Sequence, residues 1–144
     1  QTVCYIFNRS QTKYRKRYFN HPFSKEQLKQ LVLQKQFNQS IFKIVTTHDL
    51  DKLKQSLLNT PTDTLTFKST FLLGINAVEF NQIKIAINYI QKAREKSKRE
   101  SQYDQCDFWL YLLTSDKKYL QNLLESPQIN IYTLKARDIA NKPY

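Results

Sequence analysis

Residues 67–93 read FKSTFLLGINAVEFNQIKIAINYIQKA and decide the fold. Apolar side chains in the first half recur at helical spacing, at Phe67, Phe71, Ile75 and Val78. After a turn near Asn81, a second set recurs in the same way, at Ile83, Ala86, Ile87, Ile90 and Ala93. The stretch therefore predicts two consecutive helices that bury these faces against each other and against neighbours.

The composition of the whole chain favours helices over strands. Gly74 is the single glycine among 144 residues, which include four prolines. Strand-rich domains need many tight turns, and turns favour Gly, Asn and Pro. An apolar content of 40%, with nine Phe and nine Tyr, is enough for a folded core. We therefore expect an all-α fold with short polar connections.

Start signals and apolar stripes predict more helices before residue 67. Ser24 and Gln27 have the spacing of a capping box, and Phe23 and Leu28 occupy the staple positions. The stripes are Leu28, Leu31 and Val32, then Ile41, Ile44 and Val45, then Leu50, Leu53 and Leu57. The first of these helices is expected to extend to about Lys35.

Polar residues and prolines predict where the other helices begin and end. Thr47 or Asp49 is expected to cap the helix of Leu50, and Thr62 or Asp63 is expected to restart the chain after Pro61. Residues 94–102 read as a charged helix end and loop. The remaining predicted helices lie around Trp109, over residues 116–125 and over residues 130–140, with Pro127 between the last two.

This pattern of paired helices resembles the tetratricopeptide repeat. Leu73-Gly74, Ala86, Ile90 and Ala93 match positions of that repeat, where Gly and Ala allow two antiparallel helices to approach closely. The period is longer than the usual ~34 residues and is irregular. We predict one domain over residues 1–144, with antiparallel hairpins stacked as a degenerate α-superhelix. Its parts are an N-terminal segment (1–22), helical pairs (23–100) and a C-terminal unit (101–144).

The chain is strongly basic, with a net charge of +11 and a pI near 9.7. Nucleic acid, an anionic membrane surface or an acidic polymer would suit this charge, and so would a merely solvated basic surface. The candidate polymer-binding residues are Tyr14, Arg15 and Arg17 in the N-terminal segment, together with Lys92 and Arg94 in the run of charged residues over 92–100. The alternative for residues 13–19 is an amphipathic segment that buries Tyr14, Tyr18 and Phe19.

No pattern for catalysis, a cofactor or a metal is found in the sequence. His48 stands beside Asp49 and Asp51, but no second histidine lies four residues away, and the expected role is an exposed residue beside a helix cap. A chain with one glycine cannot form a Gly-rich phosphate loop. Cys4 and Cys106 are either a disulfide, which needs an oxidising compartment, or two buried free thiols. No apolar run approaches the roughly 20 residues of a membrane-spanning helix.

The C-terminal residues resemble a known family. Residues 130–138, which read NIYTLKARD, and Lys142-Pro143-Tyr144 are similar to the last helical unit before the catalytic domain of soluble lytic murein transglycosylases. The stretch from Phe108-Trp109-Leu110 to Ser126 is similar to the unit before it. Residues 67–144 carry most of the resemblance. It implies a superhelical scaffold that, in this family, precedes a periplasmic domain acting on peptidoglycan.

The family's catalytic domain cleaves the bond between N-acetylmuramic acid and N-acetylglucosamine with a single Glu, leaving a 1,6-anhydro product. That Glu lies in a Glu-Ser pair with a Gly-Leu-Met-Gln type motif downstream. Glu100-Ser101 and Glu125-Ser126 lack this continuation, because the chain has one Gly and no Met. The resemblance therefore implies the helical portion without its catalytic domain. We expect the parent reading frame to begin with a signal peptide and to continue past Tyr144 into these motifs.

Two other functions suit a basic helical array. One is a free-standing tetratricopeptide-like adaptor that binds peptides or proteins in a concave groove. The other is a helical nucleic-acid-binding module, which only the charge supports. A start Met without a signal peptide would favour either of them, and steeply salt-dependent binding to DNA would favour the second.

Overall fold

The computed structural model describes residues 2–141 of the chain, and within that range the side chains of Thr2, Val3, Ile6, Thr12, Tyr14 and Lys16 are not described. The helices are α1 (Thr2–Arg9), α2 (Thr12–Tyr18), α3 (Lys25–Leu31), α4 (Phe37–Val45), α5 (Asp51–Ser56), α6 (Phe67–Glu79), α7 (Ile83–Glu95), α8 (Glu100–Thr114), α9 (Lys117–Glu125) and α10 (Ile131–Ile139). A 3₁₀ turn over Leu57–Asn59 follows α5. The described residues form helices and no strand, which confirms the all-α prediction.

The hairpin of α6 and α7 is closely packed. Asn81, at the predicted turn, has a φ of 57°, which reverses the chain. A Cβ added to Gly74 would lie 2.6 Å from Ile90 Cγ1 and 3.5 Å from the Ala86 carbonyl oxygen. No side chain fits in that space without displacing α7, so the single glycine stands at the closest approach of the two helices.

Two buried clusters share this hairpin. The first contains Cys4, Phe7, Leu28, Leu31, Val32, Phe37, Ile41, Ile44, Val45, Leu50, Leu53, Leu57, Leu65, Leu73 and Tyr89. The second contains Phe71, Ile90, Ala93, Cys106, Leu110 and Tyr119. Because α6 and α7 contribute to both clusters, the hairpin joins the N-terminal helices to the C-terminal ones, as stacked helical pairs require.

Several predicted helix starts are confirmed. Ser24 Oγ accepts the Gln27 N–H at 3.1 Å, and Gln27 Oε1 accepts the Ser24 N–H at 2.8 Å, which completes the capping box. Asn130 caps α10 in the same reciprocal way with Thr133. The apolar stripes of α3, α4 and α5 are buried as predicted.

Other boundaries differ from the prediction. Helix α3 ends at Leu31 rather than near Lys35. Leu50, which has no capping side chain, precedes α5, so neither Thr47 nor Asp49 is its cap. Thr66 caps α6 by accepting the Ser69 N–H at 3.2 Å, and Thr62 and Asp63 lie in the loop before it. This loop is longer than expected, and Lys96 Nζ holds it by donating to the Thr62 and Leu65 carbonyl oxygens.

The N-terminal segment forms two helices, α1 and α2. Its link to the core runs through Asn8, whose Oδ1 accepts from Ser40 Oγ at 2.8 Å. Lys43 Nζ also donates to the Asn8 carbonyl oxygen at 2.6 Å. These contacts satisfy polar groups at the end of α1 and attach it to α4.

Searching the described residues for a helix both long and apolar enough to cross a membrane finds none.

Candidate functional site

A groove with a volume of about 510 Å³ lies between α7, α8 and α9. We call it the α7–α9 groove, and its lining residues are Gln91, Arg94, Glu95, Tyr103, Leu110, Lys118, Tyr119 and Asn122. It is open to solvent and has a mixed polar and aromatic wall. The groove contains Arg94, one of the candidate binding residues, together with residues that the sequence analysis did not single out.

Arg94 is held at the groove by a buried carboxylate. Its Nε lies 2.7 Å from Asp107 Oδ1, and one Nη lies 3.3 Å from Asp107 Oδ2, a two-pronged ion pair from α7 to α8. The Asp107 hydrogen bonds raise the pKa of the Arg94 guanidinium above its usual value, and burial only partly opposes them. The guanidinium carbon also lies 5.1 Å from the centre of the Tyr103 ring. Arg94 is therefore a positioned cation at the groove wall.

Lys118 has a similar arrangement on α9. Its ammonium lies 4.9 Å from the centre of the Tyr119 ring and 3.7 Å from Asp116 Oδ2. Its side chain is 64% exposed, so this ion pair is solvated and weak. Each tyrosine of the groove thus has a cation over one ring face.

Three polar side chains of the groove have no partner among the residues that the structure describes. These are the amides of Gln91 and Asn122 and the carboxylate of Glu95. They are exposed and line the same groove as the two cations. The groove consequently offers amide donors and acceptors, one carboxylate and two cations to a ligand.

The N-terminal candidate residues do not line the α7–α9 groove. Arg15 is only 8% exposed. Its Nε donates to the Phe7 carbonyl oxygen at 2.9 Å and an Nη donates to that of Asn8 at 3.2 Å, so it caps the end of α1. Arg17 is exposed, with its guanidinium 5.3 Å from the Tyr18 ring centre. The side chain of Tyr14 lies outside the described part of the chain.

Lys92 lines a different depression, of about 270 Å³, beside the loop that precedes α6. That depression also contains Tyr89, whose hydroxyl lies 2.9 Å from the Thr60 carbonyl oxygen and 3.2 Å from the Leu57 and Leu58 carbonyl oxygens. Burial raises the pKa of Tyr89 to about 12. Polymer binding by Lys92, Arg94 and Arg17 stays a prediction.

A sequence signal for the groove exists but is weak. Lys118-Tyr119 is a basic-aromatic pair at the start of α9, and Tyr103 and Asp107 lie four residues apart on α8. Nothing in the sequence states which face of α8 meets Arg94. The groove is therefore a product of the packing of three helices.

The C-terminal unit is organised around a buried carboxylate. Asp104, 2% exposed, accepts from Ser126 Oγ at 3.0 Å and from Asn130 Nδ2 at 2.9 Å through the same Oδ2. Asn130 Oδ1 in turn accepts the Tyr132 and Thr133 N–H groups, each at 3.0 Å. The Phe108 and Tyr132 rings pack with centroids 5.7 Å apart. This network fixes α10 to α8 and to the end of α9.

The candidate disulfide is absent. In the structure Cys4 and Cys106 are both buried free thiols. Cys4 packs in the first cluster and Cys106 in the second, and the α6–α7 hairpin contributes to both. The thiols lie in separate parts of the core, where each is a small apolar side chain.

Burial raises the pKa of the Cys106 thiol to about 12, from an ordinary value of 9.0. The folded state thus favours the neutral thiol. The stability that this group contributes to the fold is fully present below pH 9 and is lost as the pH rises toward 12. We expect the free energy of unfolding to fall by up to about 1.4 kcal/mol per pH unit above pH 9 from this group. Urea titrations at pH 7, 9 and 10 test this, and Cys106→Ala should flatten the dependence.

Alkylation provides a second measurement of the same thiol. At pH 8 without denaturant, Cys106 should resist iodoacetamide, and in urea without reductant both cysteines should react. Rapid labelling of Cys106 in the folded chain, or an unreactive pair in urea, would contradict the buried free thiol.

Within the described residues no cluster of three or more His, Cys, Asp or Glu side chains could hold a metal ion. His48 is exposed, next to Asp49, at the turn before α5.

Comparison of the chain with protein-family models and with curated proteins finds no match. Its family assignment is therefore a prediction from the C-terminal residues alone.

Proposed function

We propose that this chain is the helical scaffold portion of a periplasmic lytic murein transglycosylase that acts on peptidoglycan. In this role it holds the glycan strand and the catalytic domain in position, and the lyase chemistry belongs to the catalytic domain. The proposal rests on the C-terminal residues that carry the resemblance and on their use in the fold.

The observation that carries the proposal is the hydrogen-bonded C-terminal unit. Residues of the NIYTLKARD stretch serve packing rather than chemistry, since Asn130 caps α10 and Thr133 and Ala136 are buried. The Asp104 network joins these residues to the preceding unit. A fixed terminal helix suits a platform on which a following domain sits. The last residues of the motif, Lys142-Pro143-Tyr144, lie outside the described part of the chain.

The charge and the α7–α9 groove give a second line of support. Peptidoglycan carries carboxylates on its peptides, and a chain with a net charge of +11 attracts such a polymer. The groove lies in the same C-terminal half and presents Arg94 and Lys118. A scaffold that guides strands needs weak, polar contacts of this kind.

Sedimentation with purified peptidoglycan sacculi tests the proposal. We expect the purified chain to pellet with sacculi at ~0.15 M salt, where exposed charges more than about 8 Å apart are largely screened. We also expect no release of 1,6-anhydro muropeptides, because the family's catalytic motifs are missing from residues 1–144. Bovine serum albumin in place of the chain is the negative control.

Three results would contradict the proposal. One is a chain that stays in the supernatant at this salt concentration. Another is duplex DNA that binds the chain with a steep salt dependence while sacculi do not, which would favour the nucleic-acid-binding module. The third is robust release of anhydro muropeptides by the purified chain, which would place the chemistry in these residues.

A further inference from the structure

We infer that the α7–α9 groove binds a short peptide that carries both a carboxylate and a free amine, and that it does not bind a sugar ring. The identification of that ligand as a stem peptide of peptidoglycan rests on the proposed function. The chemistry of the groove itself does not depend on that proposal.

The tyrosine rings argue against a sugar. Sugar rings bind proteins largely by stacking on open aromatic faces. In this groove Arg94 covers one face of Tyr103, and Lys118 covers one face of Tyr119. Tyr119 is moreover only 8% exposed, because its ring belongs to the second buried cluster. The two rings therefore position the cations, Tyr119 leaves little aromatic surface for stacking, and Tyr103 has one face covered by Arg94.

The charges argue for a ligand with groups of both signs. Asp107 neutralises Arg94 through a two-pronged ion pair, and Lys118 is left with a long, solvated contact to Asp116. Lys118 is thus the cation most available to a carboxylate. Glu95 has no ion pair within the described chain and can accept an amine. A strand of phosphates would meet this carboxylate with repulsion, which disfavours nucleic acid at this site.

The two free amides complete the site for a peptide. Gln91 and Asn122 line the groove from α7 and α9, and each offers a carbonyl oxygen and two N–H donors. A peptide backbone presents the complementary N–H and C=O groups. The arrangement resembles the general manner in which concave surfaces of helical arrays bind extended peptides.

Titration followed by NMR tests the inference. The probe is L-alanyl-γ-D-glutamyl-meso-diaminopimelic acid, which has carboxylates and a free amine and contains no sugar. We expect it to shift the backbone resonances of Tyr103, Lys118 and Asn122, and we expect tetra-N-acetylchitotetraose to leave them in place. Lys118→Gln and Glu95→Gln should each weaken peptide binding about fivefold, the scale of an exposed charge pair.

Matched controls lie beside both residues. Lys117 is exposed at the start of α9 and does not line the groove, so Lys117→Gln removes the same charge without touching the site. Glu100, at the start of α8, is exposed and does not line the groove either. Glu100→Gln therefore removes a carboxylate outside the site and is the control for Glu95→Gln. Both control variants should bind the peptide within twofold of the original chain. Equal weakening by test and control variants would overturn the inference, because it would indicate a general charge effect.

The remaining outcomes separate this inference from the proposed function. If the chitotetraose shifts the groove resonances and the peptide does not, the groove is a sugar site and the inference is wrong. If sacculi pellet the chain but the free peptide does not bind, the inference falls and the proposed function stands. If the probe peptide binds in the groove with the expected variant effects and the sacculi do not bind the chain, the peptide chemistry is supported and the proposed function falls.

Discussion

Replacing Gly74 by leucine is expected to lower the free energy of unfolding by about 3 kcal/mol or more, the upper range of overpacking in a core. Even the first side-chain carbon would lie 2.6 Å from Cγ1 of Ile90. Ile90 is fully buried and β-branched, so rotation about its χ1 is restricted within the helix. Relief would require α6 and α7 to separate. Because the hairpin contributes to both buried clusters, separation disturbs both.

Urea unfolding followed by circular dichroism measures this effect. Gly74→Ala should show a smaller loss, since the clash is opposed by the roughly 1 kcal/mol that alanine gains over glycine in a helix. Lys84→Leu adds the same side chain at an exposed position of α7 and should change stability by less than about 0.5 kcal/mol. A Gly74→Leu protein as stable as the original chain would mean that the two helices are farther apart than described.

A partner substitution makes the argument specific to Ile90. Removing that side chain in Ile90→Ala costs stability through a cavity, but it also removes the atoms that Gly74→Ala would meet. The double variant should therefore be more stable than the sum of the two single effects predicts. Simple additivity would show that the contact between these two positions carries no energy.

Leu110→Ala is expected to cost about 3 kcal/mol, within the range for a buried leucine. Leu110 is 0% exposed and packs in the second cluster with Cys106 and Tyr119. We expect the loss to appear first as faster amide hydrogen exchange in α8 and α9, while α3 and α4 keep their protection. The reason is that stacked helical pairs open in parts, each held mainly by its neighbours.

Leu112→Ala provides the control on the same helix. Leu112 is 50% exposed, so its truncation removes little buried surface and should cost less than about 0.5 kcal/mol. Hydrogen exchange measured by mass spectrometry on all three proteins gives the regional comparison. A uniform loss of protection from α1 to α10 in Leu110→Ala would show one cooperative unit instead of two linked clusters.

The helices that sequence reasoning placed best are those whose signals are local. A capping box joins Ser24 to Gln27, three residues away, and an apolar stripe spans one or two turns. The same holds for the reversal at Asn81 and for the helix predicted over residues 130–140, which Asn130 caps. These features depend on neighbours in the chain, so the amino-acid order suffices to predict them.

The features that sequence reasoning placed wrongly depend also on residues distant in the chain. Helix α6 begins at Phe67, after Thr66, which caps it locally through Ser69 and is also held by Asn38. Lys96 holds the preceding loop, where Thr62 and Asp63 lie. In the sequence Arg15 is one of several cations in a basic run. In the structure it is buried, because it donates hydrogen bonds to the carbonyl groups at the end of α1. Both outcomes involve partners that cannot be identified from the local pattern.

The amino-acid order by itself determined an all-helical chain with a tight hairpin at Gly74, because periodicity, caps and a lone glycine act over a few residues. Only the tertiary structure decided that Arg94 meets Asp107, that Tyr103 and Tyr119 hold cations at one groove, and that the two cysteines are kept apart. Those facts arise from how α7, α8 and α9 are rotated against one another, and that rotation is set by the sum of many buried contacts.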